Sequence, residues 1–355
     1  MSREEREHKI DPRKTSRRRF GLAAAIALGL GLLPLGTAAA DGPGDFYIGK
    51  TITITVGVAP GGGYDLYARL VAEFLGRHLP GKPSIVVVNM PGGGGLRAAI
   101  HLFNTAPKDG TTLCAIVQSV GFDSVLGELP VRADEFQFIG RMTSSVETQL
   151  IWHTSPTRTL DDARKRETVV GATGSSSPSA IVPKLLNDAI QTRFKIVGGY
   201  PGTQDSSLAM ERGEVEGTLK SLEALQANNR DWLDSGKVRV LWQLALHPHP
   251  AFPDVPAIGE LGNDPEAKAM LQLIASTAEI GRSLATAPGV PADRVAMLRQ
   301  AFQAMIADPD FRAAAEQRNA GLAPATGEAI QAIIRNTIST PQSVVQRVKR
   351  IVATN

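Results

Sequence analysis

The apolar and polar positions alternate most clearly at Thr51-Ile-Thr-Ile-Thr-Val-Gly-Val58, a run of β-branched residues that predicts a strand. Pro60-Gly-Gly-Gly-Tyr-Asp65 ends it in a turn. The period then changes: Leu66, Leu70 and Phe74, flanked by Val71 and Leu75, recur at helical spacing, and Asp65 stands where an N-cap belongs. Ser84-Ile-Val-Val-Val-Asn89 is a near-continuous apolar run, the pattern of a strand inside a parallel sheet covered on both faces. Pro91-Gly-Gly-Gly-Gly95 opens onto another helix, so the unit is βαβα with glycine loops at the carboxyl ends of two strands.

Farther on, 136–142 and 149–153 read as extended segments around the polar link Thr143-Ser-Ser145, where the chain is expected to cross into a second lobe. Strand 168–172, loop Gly174-Ser-Ser-Ser-Pro178, helix 179–190, strand 194–197, turn 198–202 and a helix through Arg212 repeat the first plan without repeating its sequence. Strands at 216–220 and 238–243 and a proline-stiffened loop at 247–253 follow, and the chain is expected to return to the first lobe through 279–284. A long helix after Pro291 carries Val295, Leu298, Phe302, Met305 and Ile306 on one stripe, and 327–352 is helical in pattern. The fold class is therefore α/β, with low aromatic content and abundant Ala, Gly and Val in keeping with layers.

Glycine admits positive φ and has no Cβ, so consecutive amides can converge on a ligand that approaches closely. Each loop feeds a helix N-terminus, which favours an anion. Three glycines in a row exceed what a turn needs, and Ala59, Gly62, Gly63 and Tyr64 are candidates to offer main-chain N–H groups to a carboxylate. Asp65 is also a candidate at this loop, although a cap explains it and its charge would oppose a carboxylate. No buried arginine is required. Phosphate fits less well. Gly93-Gly-Gly95-Leu-Arg-Ala98 matches a dinucleotide fingerprint, but the next strand ends in Gln118 with no acid for a ribose. Gly76 to Lys82 has Walker spacing, but it follows a helix and Pro83 replaces the metal-binding hydroxyl.

Val56-Gly-Val-Ala-Pro-Gly-Gly-Gly-Tyr-Asp65, Val88-Asn-Met-Pro-Gly-Gly-Gly-Gly95 and Ala106-Pro-Lys-Asp-Gly-Thr-Thr-Leu113 resemble the solute-binding receptors of tripartite tricarboxylate transporters, the Bug family. Tyr200-Pro-Gly202, Arg212-Gly-Glu-Val-Glu216, Ala287-Pro-Gly-Val-Pro291 and Ala307-Asp-Pro-Asp310 continue the match over nearly all of the chain after residue 45. The resemblance implies a two-lobed periplasmic binding protein of the two-crossover type (type II), with 41–144 and 280–355 as the first domain and 145–279 as the second. It implies a small organic acid held in the cleft by both glycine loops, Asn89, Gly93 and Gly94 joining the second loop and Ser119 following the third strand. Ser175, Ser176 and Ser177 would hold the ligand's far end, with Tyr200 and Glu216 at the cleft edge. Ala59 and Tyr64 depart from the family's usual Phe and Thr. The implied partners are integral membrane transporter subunits, with the receptor a monomer that needs no cofactor; the alternative is a sensor that presents its ligand to a membrane histidine kinase.

Charge changes the picture once the start of the chain is set aside. Ser16-Arg-Arg-Arg-Phe20, an apolar stretch at 21–35 and Ala38-Ala-Ala40 form a twin-arginine-like export signal over 1–40, removed near Ala40, which implies the periplasm. Of 38 Lys+Arg and 35 Asp+Glu, 8 and 4 lie in that segment, leaving 30 against 31. A near-neutral remainder argues against nucleic acid as a partner. Cys114 has no partner for a disulfide and reads as core. Five histidines after residue 40 are scattered, His247-Pro-His249 is a surface loop rather than a metal site, and neither a G-x-S-x-G elbow nor an H-E-x-x-H pair occurs, so the chain is not expected to be an enzyme.

Overall fold

The computed structural model describes residues 45–127, 129–173 and 177–353; the expected export segment, Ser175 and Ser176 lie outside these. The chain begins with β1 (Thr51–Val56), α1 (Gly63–Phe74), β2 (Ser84–Asn89), α2 (Leu96–Asn104), β3 (Thr112–Ile116), α3 (Val120–Leu126) and β4 (Gln137–Arg141). It continues with β5 (Glu147–Trp152), α4 (Leu160–Lys165), β6 (Thr168–Gly171), α5 (Pro178–Ile190), β7 (Phe194–Val197), α6 (Thr203–Glu211), β8 (Gly217–Ser221), α7 (Leu222–Asn228), α8 (Arg230–Asp234) and β9 (Val238–Leu244). The remainder is α9 (Pro265–Ile280), β10 (Ser283–Thr286), α10 (Ala292–Ala307), α11 (Pro309–Gln317), β11 (Ala325–Thr326), α12 (Gly327–Ile338) and α13 (Gln342–Ala353).

Two mixed sheets organise these elements. The first has the order β11-β4-β10-β3-β1-β2 and the second β7-β6-β8-β5-β9. In the first, β1 runs parallel to β2 and β3, whereas β10 is antiparallel to β3 and β4. In the second, β6 is parallel to β7 and β8, and β5 is antiparallel to β8 and β9.

The apolar run at β2 belongs not to a doubly covered strand but to the sheet's edge. Every second residue faces outward, and Val86 and Val88 are 44% and 45% exposed. The doubly covered position falls to β3, all five of whose residues are buried, Cys114 among them. Burial pushes the Cys114 thiol up to about 11, as expected of a core residue. α10 turns its stripe inward as its spacing predicts, burying Val295, Leu298, Phe302, Met305 and Ile306. The helical pattern at 327–352 is two helices rather than one, parted at Ser339-Thr-Pro341 because proline disfavours helical geometry in the residue before it. The last of them leaves the first sheet, with Val344 and Val348 packing among the second sheet's core residues Val182, Leu185 and Leu271.

Strand register shows which ends of the sheets face each other. Ser283 lies opposite both Ile116 and Arg141, so β3 and β4 end together, and the chain leaves that end to enter β5. Glu147, the first residue of β5, pairs with Ser221, the last of β8. The carboxyl ends of β3 and β8 therefore flank the crossing from opposite sides. The outgoing and returning segments hold each other: Arg282 N–H donates to Thr143 O (2.9 Å), Met142 N–H to Arg282 O (3.0 Å) and Ser145 N–H to Ala278 O (3.0 Å). The Arg141 guanidinium braces the same place through Glu279 at 2.7 Å.

Candidate functional site

At the carboxyl end of the first sheet the two glycine loops touch. A Cβ on Gly57 would lie 2.7 Å from the Gly95 Cα, so only glycine lets these backbones meet. Gly92, Gly93, Gly94 and Gly95 all have positive φ, and the loop they form leads into α2 with no side-chain cap. α1 starts after Gly62, also without a side-chain cap. The first amides of a helix have no partner inside it, so Gly62, Gly63 and Tyr64, with exposed Ala59 beside them, leave main-chain donors at the surface of the loop. By contrast α4, α9, α11 and α12 each carry a side-chain cap, from Thr159, Asp264, Asp308 and Thr326.

Asp65 does not cap α1. Gly62 holds that position, and the Asp65 carboxylate, buried one turn in, accepts from Gly61 N–H (2.9 Å), the Arg69 guanidinium (2.9 and 3.0 Å) and Asn89 Nδ2 (2.9 Å). These partners, Arg69 first, hold its pKa down to about 2. Asn89 also donates to Val58 O at 3.0 Å. Both side chains are thus spent on the shape of the first loop and present no free group to a ligand. Gly93 and Gly94 are exposed, and Gly94 has open space where a Cβ would stand. Ser119, half-buried, precedes α3.

In the second sheet Ser177 precedes α5, its hydroxyl 2.6 Å from that of Ser179. Tyr200 packs against Gly171 at the carboxyl end of β6, where an added Cβ would come within 3.2 Å of its ring. Glu216 is not brought to this end. It precedes Gly217 at the opposite end of β8, and five residues at roughly 3.3 Å each separate it from the crossing. There it is bound by Arg166 (2.7 and 3.1 Å), Ser155 and the Val169 amide, a structural pairing.

Three charged residues beside the first loop were missed by sequence reasoning. Arg282, 12% exposed, lies over the Tyr64 ring with its guanidinium carbon 4.2 Å from the centroid. Its Nη1 donates to Gln118 Oε1 at 3.2 Å, and its Nε is buried against the Tyr64 ring with no close hydrogen-bond acceptor among the described residues. A Cβ on Gly63 would lie 3.4 Å from that Nε, which places the guanidinium against the first turn of α1. The Tyr64 hydroxyl accepts from the Gln118 amide (2.8 Å), and burial raises its pKa. From the second sheet's side Glu223 reaches Arg282 at 3.7 Å, and Glu147 lies within its field. Burial raises both carboxyls, Glu147 to about 7, against the opposing pull of Arg282. The signal available was the one arginine of Glu279-Ile-Gly-Arg-Ser-Leu284 at the return crossing. Glu223 also borders a cavity of about 680 Å³ between α7 and α11, which neither glycine loop lines. Among the described residues no three His, Cys, Asp or Glu side chains gather as a metal site.

A family description, tripartite tricarboxylate transporter family receptor, matches residues 67–352. The chain belongs to that family. A UPF0065 protein from the gbd 5′ region of Cupriavidus necator is 26% identical over 257 residues, which is 69% of this chain and 73% of the relative. A solute-binding protein of the same family from Polaromonas, solved without ligand, superposes with a TM-score of 0.67 at 22% identity, covering 85% of this chain and 99% of that one. Two proteins of Rhodopseudomonas palustris share the fold. One, with bound malate, has a TM-score of 0.54 at 22% identity over 85% of this chain and 99% of its own. The other, with adipate, has 0.57 at 19% over 85% and 97%. The fold is that of this family of substrate-binding receptors.

Proposed function

We propose that this receptor captures a small carboxylate between its two sheets, in the periplasm, and delivers it to the membrane subunits of a tripartite tricarboxylate transporter. The observation that carries the reading is the pair of abutting glycine loops, whose helix N-termini lack side-chain caps, the first of them beside the Arg282 guanidinium. Malate and adipate, found in two proteins of similar fold, are organic acids of the size such a cleft suits. Each hydrogen bond to a charged group contributes roughly 1.5–3 kcal/mol, and micromolar affinity needs about 8 kcal/mol after the cost of association. Four or five such bonds suffice. Ser177 and Tyr200, at the carboxyl end of the second sheet, would contact the far end of the ligand, and the lobes would divide at the hydrogen-bonded crossings.

Calorimetric titration of the full chain with mono-, di- and tricarboxylates tests this. At least one acid is expected to bind at micromolar Kd, and Gly63→Val should weaken it more than tenfold, because its methyl groups would press on Arg282 and cover the first-turn amides. Silence across the whole panel would defeat the proposal.

A further inference from the structure

The cavity that Glu223 borders is walled by both halves of the molecule, since α7 and α8 follow β8 of the second sheet and α11 precedes β11 of the first. One end of it is pinned: Glu223 reaches Arg282 at 3.7 Å, and the Tyr67 hydroxyl donates to Gly321 O at 2.6 Å. Farther along the walls Arg230, at the start of α8, and Glu316, on α11, border the same space, and both are exposed. Neither has a firm partner. Arg230 meets Asp234 at 3.7 Å with both side chains largely in solvent, and no ion pair reaches Glu316 among the described residues. Of the other lining groups, Arg312 donates through Nε to Ile306 O (2.9 Å), and Gln226 and Asn319 are uncharged.

Each of the two charges also stands where its own helix disfavours it. Arg230 is the first residue of α8 and Glu316 lies in the last turn of α11, so each sits at a helix end of its own sign. The order Arg230 then Asp234, cation before anion, is the weaker one for an i, i+4 pair. Local structure therefore accounts for neither charge, whereas a pairing across the cavity accounts for both. We propose that Arg230 and Glu316 are the two halves of a latch. When the lobes draw together the wall of α7 and α8 meets α11, the cavity is squeezed out, and the two side chains pair across it. The inference rests on the preceding reading for the acid that drives closure. The latch touches neither glycine loop, so it sets how long the closed state lasts rather than which acid is chosen.

Charge reversal with rescue, in the full chain, is the test. Arg230→Glu and Glu316→Arg should each weaken calorimetric binding of malate or adipate about fivefold, the worth of an exposed ion pair, and chiefly through faster release in stopped-flow. The double variant should return to within about twofold of wild type, and high salt should bring all four proteins together. Neither single variant should melt earlier than wild type without ligand, because each new charge suits its helix end. A second readout needs no acid. The chain's one cysteine, Cys114, is buried, so Arg230→Cys/Glu316→Cys leaves only the introduced thiols reactive. A short bis-maleimide should join them and lower the radius of gyration in small-angle scattering. Single variants that bind as wild type does, or a double variant no better than the singles, overturns the latch. If neither malate nor adipate binds wild type, the cross-link decides: joined and compacted chains uphold the latch and unjoined ones overturn it. The preceding reading falls only if the rest of the acid panel is silent too.

Discussion

Asp65, buried, and Glu147, partly buried, are carboxyls whose surroundings drive them in opposite directions, and the pH dependence of stability should separate them. Asp65 is held down at about 2 by Arg69, Gly61 and Asn89, below its ordinary 3.8. It binds fewer protons folded than unfolded, so its contribution is present above about 4 and lost as pH falls toward 2. Glu147 is raised from 4.5 to about 7 by burial. It binds more protons folded, so its contribution is present below about 4.5 and lost as pH rises through about 7. Chemical denaturation across pH 2–8 should show wild type losing stability at both ends. Asp65→Asn should flatten the acid limb and cost roughly 2 kcal/mol at neutral pH, since the Arg69 and Gly61 donors lose a charged acceptor. Glu147→Gln should flatten the limb between 4.5 and 7 and gain stability at pH 8. An Asp65→Asn profile that parallels wild type at low pH would refute the role given to that carboxylate.

The glycine loops act as elements, and their glycines are not equivalent. Gly95 has φ +99°, and an added Cβ would come within 2.1 Å of Val117 Cγ1. Gly94 has φ +62° with nothing within 4 Å. Gly94→Ala should therefore cost only the left-handed backbone term, about 1 kcal/mol. Gly95→Ala adds a steric clash and should cost about 2–4 kcal/mol in urea titration. Equal losses would show that the contact with Val117, just past β3, does not set the loop. These loops were legible because repeated glycine directly after a strand strips the backbone of side chains at one place, and α10 was legible from its stripe. Other elements were hidden. Ile85, Val86, Val87 and Val88 are apolar on both faces of β2, so the sequence does not disclose that one face meets solvent. α9 has a full set of start signals in Asp264-Pro265-Glu266 and an exposed stripe through Lys268 and Gln272, but residues 273–278 are buried all round and interrupt the polar face that would have marked the helix. At the site, the backbone donors could be read from glycine, whereas Glu216 could not be placed at one end of its strand or the other without the register. Arg282, Glu147 and Glu223 are distant in sequence and become one group only when the two crossings bring the sheets together.

At the scale of the whole molecule, those crossings are where ligand capture must be transmitted. Segments 142–145 and 278–282 are hydrogen-bonded to each other, and Gly281 stands between them at φ +47°, where an added Cβ would come within 2.2 Å of Thr143 O. A ligand bridging the two sheets would stabilise the closed arrangement and, at a hundredfold excess over Kd, add about 2.7 kcal/mol to unfolding. It would also draw the lobes together by a hinge at this pair of segments. Gly281→Ala forces either the crossing strands apart or the residue into a backbone region that alanine resists. The first-turn amides and Arg282 side chain remain in the chain, so far-UV circular dichroism should be little changed, while small-angle scattering should no longer show the decrease in radius of gyration that a saturating acid produces in wild type. Affinity should fall at least fivefold with it, because closure supplies the second set of contacts. If Gly281→Ala compacts on ligand addition as wild type does, the hinge lies elsewhere and the crossings serve only to join the sheets.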